Sequence, residues 1–423
     1  MNVLQLKEEI LSGALLKYAH LYRDIPHQKE RFIKALDSFI RIYGCDREVM
    51  LFSVPGRSEI AGNHTDHNRG SVLAGAIDKD IIAVVSKNED GIIRFHSDGY
   101  PEDSVEIEKI DNPEGFEKYT SRALIAGVAQ GFINNGHAVG GYDAYSTSEV
   151  LKGSGISSSA AYEVMLGNIL NHLYNGGCVP NTEIAVLARY AENAYFGKPC
   201  GLMDQMTCAV GGFVYIDLEE SDLPKVEPIS LSLSDMGYAL CIVNTGGNHA
   251  NLNEDYAEIP DEMRAVAKLL GREVLRGLTE EYIVKNLNNI RRLVGDRAVL
   301  RSLHFLRENG RVEKLRCALK AADLDTFFRL IKQSGHSSFE YLQNVYSNSN
   351  VKEQGLALAL ALTEGYLGSD VACRVHGGGF AGTIQVFLKK EYVSGYTEYM
   401  NSIFGAGATE EYNVRQDGAV RLF

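Results

Sequence analysis

The sequence predicts an α+β fold in two lobes. At 423 residues the chain exceeds the size at which one hydrophobic core stops growing. Strand-like runs and amphipathic helical segments both occur along the chain, which favours a mixed fold. The stretch 221–234, which contains Pro and Ser, separates two such regions. We therefore predict an N-terminal lobe at 1–230 and a C-terminal lobe at 231–423.

The N-terminal lobe opens with a helical pattern. Within residues 1–47, Phe32, Leu36 and Phe39 are spaced for one buried helix face, and Gly44 marks a stop. Alternating or apolar runs separated by turn residues follow, as in an antiparallel sheet. The predicted strands of this lobe are 81–85, 92–95, 105–107, 142–148 and 212–216.

Two helices are predicted between these strands. One begins at the serines 157–159 and ends near Gly176, because apolar residues recur on one face from Tyr162 to Leu173. The second extends from about Asn181 towards Gly197. The C-terminal lobe is predicted to begin with a strand, to be rich in helices up to Leu367 and to end in a final strand. Its predicted strands are 238–243, 383–388 and 413–416.

Composition excludes several classes of partner. The 42 Lys and Arg against 55 Asp and Glu give a net charge of −13, which opposes binding to nucleic acid or to anionic membranes. Seven scattered cysteines without a CxxC pair favour reduced thiols. The charged start of the chain is unlike a signal peptide, and no run approaches transmembrane length. We expect a cytoplasmic monomer or weak oligomer.

The signature segment, residues 55–70, is dense in polar groups and follows a short apolar strand. Donors and acceptors packed into a loop are typical of recognition of a polyhydroxylated ligand. The polar residues are Arg57, Glu59, Asn63, His64, Asp66 and Asn68. Two histidines three residues apart, His64 and His67, without other ligands in range are interpreted as hydrogen-bonding groups rather than as a zinc site.

The glycine-serine loop, residues 153–160, has two interpretations. Its glycines and the helix that follows suit an anion site, whereas serines that cap a helix after a tight turn would explain the same residues. It is not the G-x-x-x-x-G-K-S/T loop, and Ser158 breaks the G-x-G-x-x-G pattern. The glycines 377–379 follow His376 as in esterases, but the chain has no G-x-S-x-G element, so a hydrolase is rejected.

Taken together, four motifs resemble those of the galactokinase branch of the GHMP small-molecule kinases. They are the signature segment, the glycine-serine loop through Ala161, Glu192-Asn193 with Pro199-Cys200-Gly201-x-Met203-Asp204-Gln205, and residues 377–382. The resemblance extends from about Phe52 to the C-terminus. It implies two lobes with the active site in the cleft between them, and an ATP-dependent sugar 1-kinase that acts on a small sugar.

The resemblance also implies roles for individual residues. The loop that wraps the ATP phosphates corresponds to Gly153, Ser154, Gly155, Ile156, Ser157, Ser158 and Ser159. Ser159 and Glu192 would share a Mg²⁺ ion. Asp204 would lie against the anomeric hydroxyl of the sugar, with Arg57 beside it. Phosphoryl transfer depends on positioning and charge neutralisation, which magnesium and an arginine supply while an aspartate orients or deprotonates the hydroxyl.

The remaining implied residues contact the sugar. They are Glu59, Asn63, His64, Thr65, Asp66 and Tyr256. Two simpler interpretations stay open at this point: Tyr256 as a buried core residue, and Asp204 with Arg57 as a buried ion pair without chemistry.

The signature segment departs from the family pattern on the sugar side. Glu59, Asn63 and His67 stand where the family has Asn, Glu and Tyr. A neutral group at position 63 would admit a sugar acid such as galacturonate, or a relative such as N-acetylgalactosamine. Alternatively Glu59 and Asn63 have exchanged roles, which conserves the carboxylate and keeps galactose as substrate. A further alternative is a non-catalytic sensor of galactose and ATP.

Overall fold

The structure, a computed structural model, describes residues 1–150, 155–198, 200–220, 224–247, 252–368 and 371–423. It is a mixed α/β fold, so the predicted fold class is confirmed. The helices are α1 Val3–Leu11, α2 Ile25–Tyr43, α3 Ser121–Asn134, α4 Ser158–Tyr174, α5 Asn181–Ala191, α6 Met203–Val210, α7 Asn253–Leu269, α8 Glu280–Lys285, α9 Leu287–Val294, α10 Asp296–Lys320, α11 Leu324–Ser337, α12 Gly355–Leu367 and α13 Val393–Phe404.

The strands differ widely in length. They are β1 Met50–Ala61, β2 Ser71–Lys87, β3 Ile92–Ser97, β4 Asp103–Glu106, β5 Tyr142–Ser148, β6 Phe213–Asp217, β7 Lys225–Ile229, β8 Tyr238–Asn244, β9 Ala372–His376, β10 Thr383–Lys389, β11 Thr409–Tyr412 and β12 Val420–Arg421. β1 and β2 are the longest, and almost every residue along them is buried.

The chain divides into two compact units, and each unit is built from separate stretches of sequence. Unit 1 comprises residues 1–57, 76–212 and 415–423, and unit 2 comprises residues 58–75 and 213–414. These bounds differ from the predicted lobes at 1–230 and 231–423. The long second part of unit 2 begins at Phe213, directly after Gly212. The chain also passes from one unit to the other within β1 and within β2, where the composition of the sequence does not change.

Unit 1 is a sheet with helices packed against it. Its strands follow the order β12-β1-β2-β5-β3-β4, in which β3 runs parallel to β5, whereas β1 with β12, β2 with β5 and β3 with β4 are antiparallel. α1 and α2 pack on this sheet through a core that includes Leu6, Phe32 and Phe39. α2 is capped by Asp24, whose side chain accepts from the His27 amide, and it ends at Gly44 as predicted.

The helices α3, α4, α5 and α6 form the rest of unit 1. They pack closely because small residues lie at their contacts: a Cβ on Gly127 of α3 would stand 2.8 Å from the Cα of Ala191 in α5. α5 continues into a π-helical turn, Glu192–Phe196, which ends at Gly197 in the left-handed conformation. Single π turns are frequent at functional sites.

Unit 2 contains the sheet β11-β8-β10-β9, in which neighbouring strands are antiparallel. α12 and α13 share a core with this sheet, and a second core joins α7 to α10. The N-terminal part of β2 pairs with β6, and β6 pairs with β7. The signature segment from Ser58 onwards and the glycines 377–379 both belong to this unit.

Two element predictions were wrong. The expected strand at 413–416 does not form; β11 ends at Tyr412, and the last strand is Val420–Arg421. The signature segment is not wholly a loop, because β1 extends to Ala61 and carries Arg57 and Glu59. Its polar residues hide the strand pattern, since both faces of β1 are buried and alternation is lost. The predicted strands at 142–148, 238–243 and 383–388 and the helix from 158 are confirmed.

The length and hydrophobicity of the helices bear on whether they could cross a membrane. Across the described ranges, none of them combines the length and the hydrophobicity that crossing a bilayer requires.

Candidate active site

A bidentate ion pair in unit 1 joins two residues that the motifs singled out. Arg57 is the last unit 1 residue of this part of β1, and Asp204 lies in the first turn of α6. Arg57 Nε donates to Asp204 Oδ1 and Nη2 donates to Oδ2, both at 2.7 Å. Paired hydrogen bonds of this kind fix both the position and the plane of a carboxylate. The structure therefore places Arg57 beside Asp204, as the sequence predicted.

The glycine-serine loop is attached to this pair. Arg57 Nη1 donates to the Gly155 carbonyl at 2.7 Å, and the Arg57 amide donates to the Ile156 carbonyl at 3.1 Å. Gly56 permits this approach, since a Cβ there would stand 2.6 Å from the Ile156 carbonyl oxygen. One arginine thus holds Asp204 and the loop together.

Ser157 connects the loop to Asp204 directly. It precedes α4 but makes no capping hydrogen bond to that helix; its hydroxyl donates to Asp204 Oδ2 instead. Its φ of 60° is left-handed, which is uncommon for a residue with a side chain and occurs often at functional sites. The capping interpretation of the serines therefore does not account for Ser157.

The Asp204 carboxylate is ionised and has an open acceptor position. Burial alone would raise the pKa of Asp204, but the Arg57 guanidinium and the hydrogen bonds from Arg57 and Ser157 lower it below the ordinary value. Oδ2 accepts two hydrogen bonds and Oδ1 accepts one within the described residues. Because each carboxylate oxygen has two lone pairs, Oδ1 can accept one more. The side chain is 33% exposed, so a ligand can reach it.

Glu192, the predicted metal ligand, lies where α5 turns into the π turn. Its Oε1 is 2.8 Å from Lys198 Nζ, and its Oε2 accepts from Gln205 Nε2 at 2.7 Å. Gln205 Nε2 also donates to Glu163 Oε2 at 3.0 Å. Burial, together with the nearby Glu192 carboxylate, raises the pKa of Glu163 well above its ordinary value. Unit 1 therefore holds two carboxyl groups on the two sides of one amide.

Magnesium suits this donor set. Glu163 Oε1 and Gln205 Oε1 are buried oxygens without a hydrogen-bond partner in the parts of the chain described. Mg²⁺ prefers oxygen ligands and needs only one or two protein carboxylates. Ser159, the other predicted ligand, is the second residue of α4. The described residues contain no group of three or more His, Cys, Asp or Glu that would hold a metal alone.

The predicted phosphate loop is only partly described. Gly153 and Ser154 lie outside the described residues, as does Pro199 of the Asp204 motif. Gly155 and Ser157 both have positive φ, and the side chain of Ile156 between them is buried. Ser158 and Ser159 begin α4, where free backbone amides and the positive end of the helix dipole favour an anion.

The sugar-side residues belong to unit 2, where Glu59 and Asn63 touch each other. Asn63 Nδ2 donates to Glu59 Oε1 at 3.0 Å and is 2.6 Å from the Gly377 carbonyl, while its Oδ1 accepts from Asn344 at 2.6 Å. Glu59 Oε1 is also 3.1 Å from Arg374 Nη2. Both side chains are buried, and Asn63 is 1% exposed. The Glu59 carboxylate is therefore paired with an amide and a guanidinium.

Two other predicted residues donate hydrogen bonds to the backbone of the glycines 377–379. His64 Nε2 donates to the Gly378 carbonyl at 2.9 Å, and the Tyr256 hydroxyl donates to the Gly379 carbonyl at 2.8 Å. Burial lowers the pKa of His64 to about 4 and raises that of Tyr256 to about 12, so both are neutral near pH 7. Tyr256 is half-buried against Phe380, and it is not a residue of the closed core.

Thr65 and Asp66 have different surroundings. The Thr65 hydroxyl is fully buried and lies 2.9 Å from the Gly62 carbonyl and 2.8 Å from the Ser71 carbonyl. These contacts close the turn between β1 and β2, a structural task that the sequence did not predict for this residue. Asp66 begins a short 3₁₀ helix, Asp66–Asn68, and its side chain is 29% exposed beside His67.

The sequence did not identify the residues that hold the signature segment from behind. Within unit 2, His304 Nε2 of α10 donates to the Asn63 carbonyl at 3.0 Å, and Glu308 Oε1 accepts from the Gly62 amide at 3.0 Å. Burial opposes ionisation of Glu308, but Arg311 outweighs it and lowers the pKa of Glu308 to about 2. Their i, i+4 spacing on one helix was visible in the sequence, but their partners some 240 residues away were not.

A separate cavity of about 800 Å³ lies within unit 2. It is lined among others by Thr245, Ser347, Lys352, Gln354 and Phe380, and none of the predicted site residues is part of its lining.

Comparison with known protein families matches two stretches of the chain. Residues 37–87 match the galactokinase galactose-binding signature, and residues 123–212 match the N-terminal domain of GHMP kinases. The first stretch contains Arg57 and the signature segment, and the second contains Asp204 and Glu192.

Curated proteins with similar sequences are named galactokinases. That of Streptomyces coelicolor is 32% identical over 375 residues, which is 88% of this chain and 92% of the relative. That of Thermotoga petrophila is 32% identical over 81% of this chain and 90% of the relative.

Solved structures show the same fold. Lactococcus lactis galactokinase complexed with galactose has a TM-score of 0.77 and 22% identity, covering 92% of this chain and all of the other. Methanococcus jannaschii mevalonate kinase has a TM-score of 0.60 at 15% identity over 87% of this chain and 98% of the other.

Proposed function

This chain belongs to the galactokinase family, and we propose that it transfers the γ-phosphate of ATP to the anomeric hydroxyl of galactose. The predicted family is thus confirmed, and membership of a kinase family implies the use of ATP. The observation that carries the proposal is the Asp204 carboxylate, which Arg57 and Ser157 fix in place and whose Oδ1 has an open acceptor position.

Asp204 and Arg57 are proposed as the catalytic residues. The anomeric hydroxyl would donate to Asp204 Oδ1, which orients the hydroxyl oxygen for attack and takes its proton as the bond to phosphorus forms. Arg57 keeps Asp204 ionised and adds positive charge beside the transferred group. Because Arg57 also holds the Gly155 carbonyl, the base and the phosphate loop keep a fixed separation.

We propose that the amides at the start of α4 and residues 155–159 bind the ATP phosphates. Ser159 and Glu192 would hold Mg²⁺, which neutralises phosphate charge when bound. Glu192 is ion-paired with Lys198 in this structure, so Lys198 would release one carboxylate oxygen to the cation. Gln205 holds the other oxygen of Glu192 and keeps the carboxylate oriented.

Galactose is the sugar that the Glu59 and Asn63 contact favours. The exchange hypothesis requires that these two side chains touch, and they lie 3.0 Å apart. The carboxylate of the family pattern is then conserved at position 59, where Arg374 balances its charge. A sugar acid such as galacturonate would find no unbalanced positive charge at this pair. We therefore propose that His64, Asp66 and Tyr256, together with the Glu59–Asn63 pair, select a neutral sugar.

A double-mutant cycle tests the exchange. Glu59→Asn and Asn63→Glu each disturb the pair, and the double variant that combines them restores the family order. If the exchange is correct, the double variant phosphorylates galactose better than additivity of the single swaps predicts, with a coupling of about 0.5–3 kcal/mol. Additive losses in kcat/KM would show that the two positions act independently.

Direct phosphorylation assays test the function itself. The protein, ATP and Mg²⁺ would be incubated separately with galactose, galacturonate, N-acetylgalactosamine and arabinose, and the sugar 1-phosphate followed by ³¹P NMR. We expect galactose to have the highest kcat/KM, by at least about tenfold, because a site built for specific hydroxyl groups rejects analogues that lack or alter them. A higher kcat/KM with galacturonate than with galactose would contradict the proposed substrate and identify galacturonate as the substrate instead.

Inactivity with all four sugars, combined with galactose and ATP binding, would instead establish the sensor hypothesis. The intact Arg57, Asp204, Ser157 and Glu192 set argues for catalysis, because it combines an ionised base with the residues proposed to lie beside phosphate and magnesium. We also propose that the protein acts in the cytoplasm as a monomer or weak oligomer, as its composition suggests.

A further inference from the structure

Glu163 of α4 is a buried polar group of unit 1 that the proposed mechanism does not use. Its side chain is fully buried, and its Oε2 accepts from Gln205 Nε2 at 3.0 Å. Its Oε1 has no hydrogen-bond partner within the described residues. A buried ionisable group whose oxygen has no hydrogen-bond partner destabilises the fold. The presence of such a group therefore calls for an explanation, and a function is one.

The neighbours of Glu163 are the residues proposed to hold magnesium. The two protons of Gln205 Nε2 go to different carboxylates, one to Glu163 and the other to Glu192. Glu163 also follows Ser159 by four residues in α4, so the two side chains project from the same face of that helix. Glu192, with 2% exposure, is as deeply buried as Glu163, so burial does not distinguish Glu163 from the ligand proposed above.

We propose that Glu163 is an additional carboxylate ligand of the magnesium ion, contributing Oε1 beside Ser159 and Glu192. The inference rests on the proposed function, because it uses the magnesium ion of the ATP complex. Two carboxylates and a hydroxyl are a donor set that Mg²⁺ accepts, with its other positions left for water and phosphate oxygens. Lys198 is the cation that contacts Glu192 in this structure, and a divalent ion would balance the second carboxylate as well.

Manganese is the probe for this site because it replaces magnesium and is paramagnetic. Isothermal titration would give the affinity of the protein for Mn²⁺–ADP and for ADP alone, and the electron paramagnetic resonance of bound Mn²⁺ would report its ligands. In Glu163→Gln we expect the affinity for Mn²⁺–ADP to fall by about 10–100-fold, with a changed resonance of bound Mn²⁺. Metal-free ADP should bind as in the wild type.

Tyr162→Phe is the matched control. Tyr162 precedes Glu163 in α4, and its hydroxyl is likewise buried without a partner in the described residues, but it packs on Phe95. This variant should bind Mn²⁺–ADP normally. If Glu163→Gln does not fold, Glu163→Asp retracts the carboxylate by one methylene and should weaken Mn²⁺–ADP binding in the same sense.

The outcomes separate this inference from the proposed function. A Glu163 variant that binds Mn²⁺–ADP within twofold of wild type, with an unchanged resonance, overturns the assignment of Glu163 while the kinase stands. A wild-type protein that binds Mn²⁺–ADP yet phosphorylates no sugar overturns the proposed kinase function. Weaker metal-free ADP binding in Glu163→Gln would assign Glu163 to the shape of the loop and overturn the metal role.

Discussion

Two of the Arg–Asp clusters in unit 1 have the same chemistry and different surroundings. In the first, Arg57 pairs with Asp204. In the second, Asp80 of β2 contacts Arg31 of α2 at 2.6 Å and Arg415 at 3.3 Å. Asp80 is completely buried, whereas the side chain of Asp204 is 33% exposed.

Access to a ligand distinguishes the two clusters. Asp80 accepts three side-chain hydrogen bonds at Oδ2, from Arg415, Tyr22 and Ser53, and one at Oδ1, from Arg31, and a ligand cannot reach it because the side chain is completely buried. Asp204 accepts three hydrogen bonds from two residues and retains a position on Oδ1. A closed cluster can only support the fold, here by tying α2 and residue 415 to β2. An open one can accept a proton from a ligand.

The largest expected effect is the loss of catalysis in Asp204→Asn. Without the carboxylate, the anomeric hydroxyl loses its base, and we expect kcat to fall by about 10²–10⁴-fold. Galactose binding, measured by isothermal titration, should stay within a fewfold of wild type because the amide still fills the space. Thermal unfolding serves as the fold control.

Turnover by Asp204→Asn at more than a tenth of the wild-type rate would remove Asp204 from the mechanism. The open acceptor position on Oδ1 would then be a feature of binding alone.

The mirror experiment is Asp80→Asn. It removes the buried carboxylate that both Arg31 and Arg415 contact and leaves Arg31 with the more distant Glu149 carboxylate at 3.5 Å, and we expect a loss of about 3–5 kcal/mol in the free energy of unfolding. The measurement is urea denaturation at pH 7. The kcat of the protein that remains folded should match wild type within about twofold, since the completely buried Asp80 is out of reach of a ligand.

A large fall in kcat without a loss of stability would contradict the structural role of Asp80. Arg31→Met with Asp80→Leu, which removes both charges, should recover part of the stability because it leaves less uncompensated charge.

Sequence could identify one of these clusters and not the other. Arg57 and Asp204 lie in motifs whose residue types resemble a known family, although α6, which carries Asp204, was not predicted because it is only eight residues long. Asp80, Arg31 and Arg415 lie in no motif and are 49 and 335 residues apart along the chain. Side chains brought together by tertiary folding leave no local pattern, and the same applies to Arg374 and His304 behind the signature segment.

Two substitutions of Ser157, to Ala and to Gly, test what holds Asp204 in the Arg57–Asp204 cluster. Both variants remove the hydroxyl that donates to Asp204, so kcat should fall about tenfold in each, the value of one hydrogen bond to a charged group. Only Gly relieves the left-handed backbone at this position, so Ser157→Gly should be the more stable of the two by about 0.5–1 kcal/mol. Stopped-flow or coupled assays give kcat, and calorimetry gives Tm.

If Ser157→Ala retains full activity while Ser157→Gly loses it, rigidity of the loop and not the hydrogen bond would be what Asp204 requires. Equal stabilities would show that the backbone at Ser157 relaxes without cost.

The smallest expected effects occur at acid pH. The pKa of Asp80 and that of Asp204 are both lowered, but the first is observed through stability and the second through kcat. Each has a pKa held below the ordinary value in the folded protein: burial opposes ionisation, and the neighbouring arginines outweigh it. Stability contributed by Asp80 is therefore fully present above the pKa of an unfolded aspartate, about 3.9, and is lost as pH falls through the lower folded value. The stability difference between wild type and Asp80→Asn should shrink in that acid range.

For Asp204 the lowered pKa affects the reaction rate in the same direction: kcat is lost only as pH falls far enough to protonate the carboxylate. Because Arg57 and Ser157 keep the carboxylate ionised, kcat should show no acid limb from Asp204 between neutral pH and about 4. Ser157→Ala removes one of the stabilising hydrogen bonds, so any acid limb should move to higher pH in that variant and leave the Asp80-dependent acid unfolding unchanged. An acid limb near pH 6 in the wild type that shifts with Ser157→Ala would mean that Asp204 is less strongly held than its contacts indicate.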